Sequence, residues 1–165
     1  MSSKPPLDPF ARQQDPVPNS ILDLSSISEP DYVDLFTLTT TGEFTWSAEE
    51  WARAMFGDVP DFATLVIFRG ILGLRVSRQR SRELISGMAI SGRGEDWLRL
   101  EAHSKAITDN LVVQAGPQHV SLATFMQYHR RSGKWRWMPT SAVHRRIAPG
   151  LLRGAWKDLQ SSDSG

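Results

Sequence analysis

The sequence lacks several features that would point directly to a chemistry or a location. It has no cysteine, which excludes disulfides as well as cysteine-based metal sites and nucleophiles. Its longest apolar runs, such as FATLVIF, are far too short to span a bilayer. Its start, MSSKPPLDPFARQQDPVP, has no apolar core of the kind that a signal peptide needs. We therefore expect a cytoplasmic protein that is not an integral membrane protein.

Short motifs that identify many enzymes are also missing. The sequence has no phosphate-binding loop, no dinucleotide fingerprint and no Ser/His/Asp signature. Its histidines, which are His103, His119, His129 and His144, do not have the spacing of metal ligands. We therefore predict that the protein holds neither a metal ion nor another cofactor.

The composition is that of an ordinary globular domain, with 40% apolar and 22% charged residues. Residues 1–20 contain five prolines and little apolar surface, which predicts a mobile N-terminal arm. Residues 21–160 are predicted to form a single domain, and residues 161–165 are predicted to form a disordered tail.

Charge is distributed unevenly along the chain. Residues 1–61 hold three basic and eleven acidic side chains, a balance of −8, whereas residues 62–165 hold sixteen and seven, a balance of +9. Either the two halves neutralise each other, or a basic face attracts phosphate, carboxylate or anionic lipid. The arginine-rich segment Arg75–Arg82 is likewise either a solvated connector or an anion contact. We do not expect nucleic acid as a partner, because no recognised binding motif accompanies the charges.

Hydrophobic periodicity predicts an α+β order of elements. A strand begins near Tyr32, and two short helices follow, capped by Ser47 with Glu50 and by Asp61. Further strands are predicted over ELISGMAIS, DWLRLEAHS, AITDNLVVQA and HVSLATFMQYHR.

The last part of the chain is predicted to end in a long amphipathic helix. GKWRWMP favours a strand extension or a short last strand, and Ser141 is the expected cap of the helix that follows. Pro149 and Gly150 should kink this helix, which could make a gate for a ligand. A helix that closes one face of a curved antiparallel sheet leaves a cavity unless large side chains fill it.

This order resembles the helix-grip fold of the START-like superfamily. The chain is most similar to an uncharacterised bacterial family that is known as a domain of unknown function. The resemblance covers roughly residues 20–156 and is carried by DYVDLF, WARAMFGDVPDFATLVIFRGILGL and MPTSAVHRRIAPGLLRGA. An aromatic-rich last strand, a proline and a helix-borne histidine correspond here to Trp135, Trp137, Pro139 and His144. The resemblance implies a fold and a pocket, and it does not supply an activity.

We expect the cavity to bind an apolar or aromatic small molecule, either lipid-like or polyketide-like. One alternative is a cyclase or isomerase in which His144 moves a proton and Tyr128 donates a hydrogen bond. Another is a protein-interaction module that uses the acidic first third or the N-terminal arm. The oligomeric state, monomer or homodimer, stays open. The residues expected to bind the ligand are Phe68, Leu100, Met126, Tyr128, Trp135, Trp137, Met138 and His144.

Overall fold

A seven-stranded antiparallel sheet, curved and covered by a long C-terminal helix, forms the centre of the α+β structure. In this computed structural model, residues 10–165 are described. The strands are β1 (Phe10–Gln13), β2 (Tyr32–Thr39), β3 (Leu84–Ile85), β4 (Met88–Arg93), β5 (Trp97–His103), β6 (Ile107–Ala115) and β7 (His119–Tyr128). The α-helices are α1 (Asn19–Leu22), α2 (Ala48–Phe56), α3 (Phe62–Leu65) and α4 (Arg131–Asp163). The sheet order is β1-β2-β7-β6-β5-β4-β3, so β2 lies beside the last strand.

The two helices after β2 begin where the sequence predicts. Ser47 and Glu50 form the expected capping box at the start of α2, each side chain pairing with the backbone of the other residue. The Asp61 side chain accepts a hydrogen bond of 2.7 Å from the Thr64 amide and caps α3. α3 continues as a π-helical segment, Val66–Ile71, and the chain then leaves the helix at Gly73, where φ is +66°.

Both faces of the sheet are covered, by different parts of the chain. Helices α2 and α4 pack on the inner face, and the predicted alternation in β5 is confirmed there, with Leu98 and Leu100 buried. The outer face of β2, β6 and β7 is covered by residues 17–27, including the buried Ile21. This second layer explains why β6 and β7 are buried along almost their whole length instead of alternating.

The predicted N-terminal arm falls partly outside the described residues, because residues 1–9 do not belong to them. From Phe10 onwards the arm has regular structure, since β1 pairs antiparallel with β2 and α1 follows. At the other end, α4 reaches Asp163 and therefore includes part of the predicted tail.

The prediction of a short last strand at Trp135–Trp137 is wrong, and so is the prediction that Ser141 caps the last helix. α4 begins at Arg131, directly after β7, and Ser141 lies inside it with its hydroxyl donating to the Met138 carbonyl. A short alternating aromatic run fits a helix as well as a strand, because neighbouring residues also point in different directions on a helix. The helix runs without a break through Pro139 and Pro149. The kink at Pro149 remains a prediction.

In residues 10–165, no helix combines the length and the apolar character that crossing a membrane requires.

Candidate functional site

A cavity of about 190 Å³ lies between the inner face of the sheet, the α3 region and α4. Its walls come from the end of α2, from α3 and its π-helical continuation, and from one face of α4. Strands β6 and β7 provide its floor. Most of the lining is apolar or aromatic: Met55, Phe56, Ile67, Phe68, Leu72, Leu111, Met126, Trp137, Val143, Ile147 and Leu151.

A buried carboxylic acid lies in the floor of this cavity. Asp109 is only 2% exposed and stands opposite Met126 in the pairing of β6 with β7. Its Oδ1 atom has no hydrogen-bond partner among the described residues. Burial, together with the nearby charge of Asp34, raises the pKa of Asp109 to about 8. Near neutral pH this side chain is therefore mostly a neutral acid that is able to donate a hydrogen bond.

Beside Asp109 lies a second polar group, built around His144 of α4. Asp34 of β2 and Thr124 of β7 are cross-strand partners, and both approach the same imidazole nitrogen. His144 Nε2 is 3.3 Å from Asp34 Oδ2 and 3.1 Å from Thr124 Oγ1. In the Nε2–H tautomer this nitrogen donates towards the two buried oxygen atoms, and Nδ1 is then the acceptor nitrogen of the ring.

Tyr32 extends this group towards the surface. Its hydroxyl donates to Asp34 Oδ2 over 2.6 Å and accepts from Arg145 over 3.3 Å. Burial and the Asp34 carboxylate raise the pKa of Tyr32 far above its ordinary value, so the phenol keeps its proton. The ring also packs edge-on against Trp137 with centroids 5.3 Å apart, which fixes the indole at the cavity wall.

The structure brings only part of the predicted ligand-binding set together. The members that line the cavity are Phe68, Met126, Trp137 and His144. Leu100 is buried in the core, and Tyr128 is half-buried on β7; neither lines the cavity. Trp135 is 70% exposed and Met138 50% exposed, because both lie on the outer side of α4 and not on an inward-facing strand.

The two buried aspartates are not among the site residues that the sequence predicts. A signal for them was present: Asp34 is in phase with the inward-facing Phe36, and Asp109 is in phase with Ile107 and Leu111. A carboxylate at an inward strand position is costly to bury, which makes such a residue a candidate for a site.

The arrangement combines a neutral acid, an imidazole and an apolar wall, which is suited to hydrogen bonding and proton transfer on a small molecule. Among residues 10–165, no group of three or more His, Asp or Glu side chains could hold a metal ion.

No protein-family model, no curated protein and no solved structure matches the chain. The START-like assignment therefore stays a prediction, and any statement about function depends on the cavity itself.

Proposed function

We propose that the protein binds a small, mainly apolar or aromatic molecule in the cavity between the sheet and α4. The observation that carries this proposal is an apolar cavity whose floor holds one buried acid, Asp109, with an unpaired oxygen. Ligand sites commonly combine such apolar walls with a few polar groups that fix orientation.

The size of the cavity narrows the class of ligand. An apolar cavity of about 150 Å³ binds benzene in another protein, so about 190 Å³ suits a molecule with a single ring. A lipid chain or a polycyclic polyketide would require the cavity to widen. Asp109 favours a ligand that also carries a hydrogen-bond acceptor, such as a carbonyl oxygen.

We further propose that the chain is a helix-grip protein of the START-like kind. The supporting observations are the order of one strand, two short helices, a run of antiparallel strands and a long helix, and the position of β2 beside β7. Two further features come before these elements in the chain: the strand β1, and the segment of residues 17–27 that covers the outer face of the sheet.

Ligand binding is tested by titrating the protein with benzaldehyde and with benzene, followed by nuclear magnetic resonance. We expect saturable shifts at cavity residues and tighter binding of benzaldehyde. Val143→Trp places a large side chain at the cavity wall and should weaken binding at least about tenfold, a cost typical of a lost or obstructed apolar contact. Ala142→Trp is the control, because Ala142 is an exposed neighbour on α4 that does not line the cavity. Equal effects of the two substitutions, or no saturation, would contradict the proposal.

A second candidate function is an isomerase or cyclase that works by acid–base chemistry. It is favoured by the position of His144 and Asp109 in one cavity, with Asp109 in the place that Tyr128 had in the sequence-based hypothesis. Asp109 would hydrogen-bond to a carbonyl oxygen while His144 removes a proton from the neighbouring carbon.

This candidate function is tested by proton exchange. Cyclohexanone incubated with the protein in D₂O should exchange its α-hydrogens faster than in buffer. His144→Gln and Asp109→Asn should each abolish the acceleration, whereas Tyr128→Phe should retain it. Exchange at the buffer rate with wild-type protein would rule out this chemistry for simple ketones.

A further inference from the structure

A cleft of about 340 Å³ at the beginning of α4 collects four basic side chains from three separate parts of the chain. Arg75 follows the π-helical segment, Lys105 lies in the turn between β5 and β6, Arg130 precedes α4, and Arg136 belongs to its second turn. The hydroxyl-bearing side chains of the cleft are Ser104 and Ser132.

The cations of this cleft are not neutralised by any residue in the part of the chain that the structure describes. Within residues 10–165, no Asp or Glu lines the cleft, and none of its four cations forms an ion pair. Their charged groups also make no hydrogen bond to another described residue.

A second arginine-rich cleft shows the contrasting arrangement. It contains Arg53, Arg80, Arg82 and Arg93, together with the acidic residues Glu49, Asp58 and Glu83. Arg53 and Arg80 both pair with Asp58, and Arg93 pairs with Glu49. Arg75 thus lies in the uncompensated cleft, whereas Arg80 and Arg82 lie in the largely neutralised cleft, where three of the four arginines are paired.

The start of α4 adds positive potential to the uncompensated cleft. Arg130 is the N-cap residue and makes no side-chain capping bond, and the first turn holds no acidic residue. Basic side chains at the positive end of a helix dipole are unfavourable, so Arg131 and Lys134 lower the stability of this end of the helix. A bound anion would remove this cost.

Two glycines allow the parts of the cleft to approach each other. A Cβ atom at Gly133 would lie 2.4 Å from the Ala106 carbonyl oxygen, so only glycine lets α4 start against the β5–β6 turn. A Cβ atom at Gly73 would lie 2.9 Å from the Arg136 guanidinium. Backbone packing therefore brings the start of α4 and the β5–β6 turn together, and the Arg136 side chain reaches across to Gly73.

We propose that this cleft is a binding site for a phosphate group, carried by a small phosphorylated molecule or by a phospholipid headgroup. Guanidinium groups bind phosphate oxygens in pairs, and Lys105 with the serine hydroxyls supplies further donors. The site is separate from the cavity and does not depend on the function proposed for it.

The test uses isothermal titration of the full chain with inorganic pyrophosphate at low salt. We expect saturable binding to one site that weakens as salt is raised. Arg136→Gln should weaken it about tenfold, the loss typical of one charge-assisted contact, and Lys105→Gln should do the same. Arg80→Gln is the control because it removes the same charge from the neutralised cleft, and it should change the affinity less than about twofold.

Vesicles distinguish the two sources of phosphate. If the protein sediments with phosphatidylcholine vesicles that contain phosphatidic acid, and Arg136→Gln does not, the phosphate belongs to a lipid headgroup. If the protein binds pyrophosphate but no vesicles, the phosphate belongs to a small phosphorylated molecule. The proposal is overturned if neither probe binds, or if Arg80→Gln weakens binding as much as Arg136→Gln does.

Discussion

At the scale of single residues, Asp109 occupies an inward-facing strand position where an apolar side chain would be buried without the desolvation cost of a carboxylate. The neighbouring inward positions hold Ile107 and Leu111, and both are buried. Because burial raises its pKa to about 8, the folded protein keeps a proton on Asp109 that the unfolded chain releases near pH 4. Folding therefore takes up a proton between these two pH values, and the stability that Asp109 contributes falls as pH rises through this range.

Asp109→Asn should remove this dependence. Wild-type protein should lose a few kcal/mol of unfolding free energy between about pH 4 and pH 8 through this one group, and the variant should lose much less. Near pH 8 the variant should be the more stable of the two. Urea unfolding across this range provides the measurement. If the unfolding free energies of the two proteins change with pH in parallel, Asp109 is ionised in the folded state.

Asp34→Asn should lower the pKa of Asp109, since the Asp34 charge is one of the two causes that raise it. Titration of the Asp109 carboxyl carbon chemical shift by nuclear magnetic resonance would give its pKa in the wild type and in the variant. Thr124→Val is the control, because it alters the contact with His144 without removing a charge. A pKa of Asp109 that is equal in wild type and Asp34→Asn would leave burial as the only cause.

The site could be predicted only in part. His144 is predicted because it lies beside the apolar stripe of the last helix, whereas Trp137 is predicted as part of a short strand that does not form; both line the cavity. Asp34 and Asp109 are not predicted for the site because a carboxylate on a strand usually marks the solvent side, and this expectation outweighs their phase with apolar neighbours until the burial of both is seen.

At the scale of elements, α4 is the part that the sequence describes least well. Its 33 residues contain two prolines, and the sequence predicts a start at Ser141, after a short strand, and a kink at Pro149 and Gly150. The sheet and α2 pack along its length, and this tertiary contact holds the prolines within one helix. Helices α2 and α3 were predicted well because their caps depend on residues only three positions apart.

Two glycines of α4 should respond in opposite directions to alanine. Gly150 is exposed and has open space where a Cβ would go, so Gly150→Ala should stabilise the protein by about 0.5–1 kcal/mol. Gly133→Ala would place a Cβ against the Ala106 carbonyl and should destabilise it by about 2 kcal/mol. Thermal unfolding measures both changes. Stabilisation by both substitutions would show that α4 can move away from the β5–β6 turn.

At the scale of the whole molecule, the sheet is covered on both faces by segments that lie far apart in the sequence. Residues 17–27 cover the outer face, where Ile21 packs with Leu35, Val112 and Phe125. A composition rich in proline predicts a free arm. It cannot reveal this packing, because a small number of well-placed apolar side chains is enough to cover the apolar outer face of the sheet.

Deletion of residues 1–20 should therefore lower the unfolding free energy by about 1–3 kcal/mol, the scale of a half-buried valine, Val17, together with a lost edge strand. The sequence alone predicts no change, because it treats the arm as packed on nothing. Deletion of residues 1–9 is the control, since it leaves β1 in place against β2. Chemical unfolding of the wild type and the two deletion variants provides the measurement. Equal midpoints for all three would show that residues 1–20 form a free arm that does not stabilise the domain.

The two outer strands of the sheet are also its shortest described ones, with four residues in β1 and two in β3. A long exposed strand invites a strand of another molecule to continue the sheet, and a short one offers few backbone groups for such pairing. If two copies of this chain associate, we expect contact through helical surfaces, where Phe62, Val143 and Ile147 are exposed. A sheet continued from one copy into the next is not expected, and aggregation by that route should be slow.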